Sequence, residues 1–158
     1  AHFMEALPAR IFLEIFVIAL PLLFHAIYGV YIAFTAKSNV GNYGFFRNWM
    51  FVLQRATGII TFIFVVWHVW ETRMQVALGK DTVDYNMMVD ILSNPAMLAF
   101  YIIGVVAAVF HFANGLWTFC ITWGITVSPR AQQINTYVTM AIFLILSYVG
   151  VTALLAFV

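Results

Sequence analysis

Four long apolar runs separated by short polar stretches dominate the chain. They cover about residues 8–36, 48–78, 95–128 and 132–158. As helix, at about 1.5 Å per residue, each crosses about 30 Å of hydrocarbon. Pro8 suits a first helical turn. Pro21 lies inside the first run, and its ring clashes one turn back, which predicts a kink near Phe16 and Val17. The third run opens at Pro95, after Ser93 and Asn94. The stretch from Thr35 to Arg47, with Asn39, Gly41, Asn42 and Gly44, is rich in turn residues. Between Gly79 and Asn94, Asp81 or Thr82 is placed to cap a short surface helix running through Leu92. Ser128, Pro129 and Arg130 read as a tight turn. Short connections make sequential helices antiparallel. The pattern therefore predicts an all-α membrane protein: one transmembrane domain, residues 1–158, folded as an up-down bundle of four helices.

Composition identifies the solvent. The 158 residues are 65% hydrophobic and 8% charged, with a mean hydropathy of +0.99. Soluble domains are roughly 45–50% apolar and about 25% charged, so a bilayer is the natural solvent. A net charge of +1 without a basic cluster gives no sign of a nucleic-acid partner. The single cysteine, Cys120, excludes an intrachain disulfide and reads as a small buried thiol. No catalytic apparatus for a water-soluble substrate is visible.

Lys37, Arg47, Arg55 and Arg130 fall on one side, while Arg10, Arg73, Lys80 and all six acids fall on the other. The positive-inside rule places the first side in the cytoplasm, making a multi-pass protein of the cytoplasmic membrane with Ala1 outside. The chain starts without methionine, in the polar stretch Ala1 to Glu5, as if within a loop. A chain that starts outside without a signal is odd, and an upstream helix entering from the cytoplasm is the expected remedy.

Candidate chemistry rests on three histidines inside apolar runs: His25, His68 and His111. Ionisable residues at membrane depth are costly and usually functional. The bland reading of any one of them is an interhelical hydrogen bond; three on three helices favour a cofactor. His25 lies about 25 Å beyond Pro8, and His111 about 24 Å beyond Pro95. Since those helices run the same way, the two imidazoles share a level. His68 stands near the outer face, roughly 15–20 Å away. Two imidazoles at one level suit bis-histidine ligation of haem b. Zinc or copper would want further donors, which that level lacks. Gly29 and Gly115 stand four residues after His25 and His111, on the same helix faces, and are expected to make room for the macrocycle. His2 sits in the polar stub and is a poor partner for His68, so His68 needs a histidine from outside this chain.

The remaining polar residues carry two readings each. Arg55 is either a snorkelling, topology-setting cation or a haem-propionate or subunit contact. Glu14 is either an interfacial carboxylate reaching water or a proton carrier near a quinone. Trp67, Trp70, Trp117 and Trp123 read as packing or interfacial residues. Asn114 is placed to hydrogen-bond a neighbouring helix.

The stretches Phe24-His25-Ala26-Ile27-Tyr28-Gly29, Leu53-Gln54-Arg55-Ala56-Thr57-Gly58, Trp67-His68-Val69-Trp70 and Phe110-His111-Phe112-Ala113-Asn114-Gly115-Leu116-Trp117 are together specific. They resemble the di-haem cytochrome b membrane subunit of succinate:menaquinone oxidoreductase, of the single-anchor type found in Gram-positive bacteria. The resemblance covers essentially the whole chain. It implies a five-helix bundle and two haems. His25 and His111 would ligate the proximal haem, and His68 the distal one with a partner on a helix this sequence lacks. It further implies a flavoprotein that oxidises succinate, an iron–sulfur subunit that passes electrons on, and menaquinone as acceptor near the outer face. Two alternatives stand beside it. One is the cytochrome b anchor of another quinone-linked dehydrogenase, such as a fumarate reductase, hydrogenase or formate dehydrogenase. The other is a haem-free membrane protein that uses its histidines for protons.

Overall fold

The computed structural model describes residues 8–82 and 84–158. The expectations for Ala1, His2 and Glu5 lie outside these described residues. Among the described residues, four helices are long and apolar enough to cross a membrane: α1 (Arg10–Thr35), α2 (Phe46–Ala77), α4 (Pro95–Thr122) and α5 (Pro129–Leu155). A short helix, α3 (Tyr85–Leu92), joins α2 to α4. There is no strand among the described residues. The chain is thus an all-α, multi-pass membrane protein.

Local chemistry explains where the helices stop and start, and it moves several expected boundaries. Ser128 is not part of a free turn. Its hydroxyl accepts from Ala131 N–H, and Pro129 occupies the first turn, so α5 begins at Pro129 and not at Gln132. Asn94 and Pro95 do the same for α4, with Asn94 Oδ1 accepting from Ala96 N–H. At the other end, α4 stops at Thr122, short of Ser128. Gly124 takes φ +68° and lets Ile125 N–H close onto the Cys120 carbonyl. The cap of α3 is Asp84, whose Oδ1 accepts from Met87 N–H at 2.9 Å. Asp81, one of the expected caps, instead binds the N–H of Thr82. Around the expected kink before Pro21, Leu13–Ala19 form wide π turns. Such turns absorb the ring's clash and the missing N–H without ending the helix.

Helix α4 is the centre of the bundle. Of its most apolar stretch 22% is buried within the chain, against 11% for α5, 6% for α2 and none for α1. It packs extensively on α2 and α5, while α1 touches α2 only thinly. The core gathers Phe64, Leu92, Tyr101 and Leu154 at the end that carries the acids. Lipid supplies no hydrophobic drive between helices, so close approach of backbones must hold them. Two glycines allow it. A Cβ on Gly104 would fall 2.2 Å from Phe64 Cγ, and one on Gly150 would fall 2.6 Å from Val105 Cγ1.

Gly104→Ala is expected to destabilise the bundle by about 1–3 kcal/mol, because the Phe64 ring cannot swing clear within the core. Gly150→Ala should cost less, since it meets only the tip of the small Val105 side chain. Thermal unfolding of detergent-solubilised protein checks the order; equal costs would contradict it.

Candidate functional site

His25 on α1 and His111 on α4 come together, with ring centroids 6.0 Å apart and planes at 74°. They share a cavity of about 450 Å³ between α1 and α2. That volume is in the range of small-molecule and cofactor sites. The walls are largely apolar, with Leu22, Ile59, Phe62 and Val65 among them. Gly29 lines the cavity, and nothing lies within 4 Å of where its Cβ would be. Gly115 does not line it; its Cβ position faces Gln54 Nε2 at 3.5 Å.

The glycine that shapes the site is Gly58 on α2. A Cβ there would stand 2.9 Å from His111 Cε1, so only glycine lets the imidazole lie against the helix. Gln54, one turn earlier on the same face, fixes that ring. The Gln54 carbonyl lies 3.0 Å from His111 Nδ1. A carbonyl only accepts, so Nδ1 carries the proton and Nε2 keeps its lone pair. The Gln54 side chain closes the contact: its Nε2 donates to the His111 carbonyl at 3.1 Å, and its Oε1 accepts from Asn114 Nδ2 at 2.8 Å. Asn114 thus makes the interhelical bond expected of it. Neither Gly58 nor the orienting role of Gln54 stands out in the sequence. Their four-residue spacing, which puts them on one face, is the signal that was there.

Arg55 also lines the cavity. Its Nε and Nη2 are buried without a hydrogen-bond partner, while its guanidinium carbon lies 3.9 Å from the Phe51 ring centre. Thr61 Oγ1 in the same wall is likewise buried and unpartnered. An unsatisfied guanidinium at the edge of an apolar cavity calls for an anion.

His68 lies elsewhere, between α2 and α4 and about 15 Å along α2 from Gly58. Its Nδ1 is 3.3 Å from Tyr101 Oη. Glu14 is held between two cations, with Oε1 2.7 Å from Arg10 Nε and Oε2 3.0 Å from Arg73 Nη2. The second pair ties α1 to the end of α2. Trp117 stacks on Arg47 at 3.4 Å and donates to the Gln132 carbonyl, while Arg47 also bonds Thr136. Trp123 is exposed. Cys120 is a free thiol.

Among the described residues, no three His, Cys, Asp or Glu side chains group as a metal site. Two imidazoles without a third donor suit a metal whose other ligands come with it, as in haem. The two rings are close, at 6.0 Å between centres, and both line one apolar cavity. The residues present fit haem b.

Fold and site together define a multi-pass membrane protein in which two histidines meet at the wall of an apolar cavity. The family described as succinate dehydrogenase/fumarate reductase transmembrane subunit matches residues 35–150, and the chain belongs to it. It is also 65% identical over all 158 residues to the succinate dehydrogenase cytochrome b558 subunit of Bacillus subtilis (strain 168), covering 78% of that protein's length. No solved structure shows a significant match.

Asn114→Leu is expected to lower stability by about 1–3 kcal/mol, the cost of leaving the Gln54 side-chain oxygen unsatisfied between helices. Thermal unfolding in detergent without added cofactor measures it. An unchanged midpoint would mean that the Gln54–Asn114 contact does not hold α2 to α4.

Proposed function

We propose that this chain is the membrane anchor and cytochrome b of a bacterial succinate dehydrogenase, carrying electrons from an iron–sulfur subunit to menaquinone. The observation that carries the reading is the His25–His111 pair at the wall of an apolar cavity that also holds two buried, unpartnered nitrogens of Arg55. Its membership of the family supports the same assignment. Haem b, when bound, supplies one-electron transfer at a site from which water is largely excluded.

In this reading each residue has a definite task. His111 would offer Nε2 to the haem because Gln54 holds Nδ1, and His25 on α1 would offer the second imidazole. Arg55 would pair with a propionate carboxylate. Gly58 and Gly29 leave room beside the two histidines; Gly115 serves the α2–α4 contact. His68 would hold a second haem together with a ligand from outside the described residues. Glu14, at the acid-bearing end, would carry protons to or from the quinone only on leaving its two arginines. The flavoprotein subunit holds the succinate site, and this anchor alone does not act on succinate. The basic end, with Lys37, Arg47 and Arg130, faces the cytoplasm and the iron–sulfur subunit, and the apolar helix faces meet lipid. A fumarate-reducing complex is the second reading, favoured by a family description that covers both enzymes.

Membranes carrying the full complex are expected to show a reduced-minus-oxidised b-type α-band. Replacing His25 or His111 by alanine should abolish its proximal component, and Arg55→Leu should weaken haem retention roughly tenfold, as loss of a supporting contact does. A band untouched by both histidine replacements would overturn the assignment. Copurification of a flavoprotein that oxidises succinate supports the dehydrogenase reading, and a molybdenum or nickel partner would defeat it.

A further inference from the structure

Helices α2 and α4 run antiparallel, so the register that brings Gly58 to His111 brings a second pair together. Ten residues further along α2 and ten back along α4 stand His68 and Tyr101. Tyr101 is 1% exposed, so water does not compete for its hydroxyl. That hydroxyl has one proton to give, and it lies 3.3 Å from Glu71 Oε2, an acceptor. With its proton directed there, the hydroxyl oxygen accepts from His68 Nδ1–H at 3.3 Å. The His68 ring is also stacked on Phe64 at 5.8 Å and 25°, and Phe64 is itself lodged against Gly104.

We propose that Tyr101 and Glu71 are positioning residues for His68, forming a chain that ends on a carboxylate, keeps Nε2 free to ligate and makes His68 a stronger donor than His111. The proposal rests on reading His68 as an axial ligand of a second haem. The contrast with His111 carries it. There Nδ1 donates to a neutral peptide carbonyl. At His68 the accepting hydroxyl is polarised by Glu71. A carboxylate behind a ligating imidazole raises its basicity. A more basic ligand favours the oxidised metal, so the chain lowers the midpoint potential at His68. Glu71 sits in the π turns Trp70–Met74, which directly follow the His68 turn. Those turns set Glu71 towards α4 while Arg73, two residues on, reaches α1.

The test is a redox titration of the α-band in membranes carrying the full complex. Tyr101→Phe should raise the midpoint of one haem component by about a tenfold change in its oxidised-to-reduced ratio, about 59 mV for one electron. Glu71→Gln keeps an acceptor for the tyrosine and removes only the charge, so it should raise the same component by less. The double variant should match Tyr101→Phe alone, because Glu71 acts through Tyr101. Unmoved potentials with full haem content would overturn the proposal, as would an equal Glu71→Gln shift in the Tyr101→Phe background. If Tyr101→Phe loses the component altogether, Glu71→Gln decides: an upward shift supports the proposal and none overturns it. A wild-type complex with no second b-type component would overturn both this proposal and the reading of His68 beneath it.

Discussion

A polar group in the hydrocarbon core must find a partner inside the protein, because lipid offers none. Most of the middle of this bundle follows from that requirement. Gln54 meets it with three hydrogen bonds to α4: the side chain to the His111 carbonyl and Asn114, the carbonyl to His111 Nδ1. Thr57, Thr118 and Thr152 meet it by turning their hydroxyls back onto carbonyls of their own helices. Arg55 does not meet it. A guanidinium with two buried, unpartnered nitrogens beside a cavity of about 450 Å³ marks the place where the chain alone is unfinished.

The same requirement explains why α2 and α4 form the rigid part and α1 stands apart. Glycines let α2 and α4 approach, and Gln54, Asn114 and Tyr101 bond across them. Helix α1 touches α2 thinly, and its described tie at the acid-bearing end is the Glu14–Arg73 pair. His25 therefore meets His111 at the wall of a cavity instead of within packed side chains. A haem seated between the two imidazoles would supply the contact that α1 lacks.

Much of this was legible in the sequence, for identifiable reasons. Hydropathy marks the four spanning helices because the bilayer imposes a length that no soluble core imposes. Depth along two parallel helices brought His25 and His111 together, since rise per residue converts directly into height. Helix ends were less legible. Ser128 and Pro129 look like a turn until the Ser128 hydroxyl is seen on Ala131 N–H, and a π stretch leaves no periodic trace. Of the faces helices turn to each other, only the one at Asn114 was legible. Gly115 shares a face with His111, yet Gly58 on another helix makes room for that imidazole. Tyr101 looked like one more aromatic in an apolar run, because its role depends on the register of α2 against α4.

Paired imidazoles as axial ligands to haem are what the functional assignment stands on. Near-infrared magnetic circular dichroism of the oxidised complex tests them most directly, because the charge-transfer band reports the identities of both axial ligands. Low-spin haem with two histidine ligands throughout is the expected result. A high-spin signal, a histidine–methionine signature or the absence of haem would contradict it.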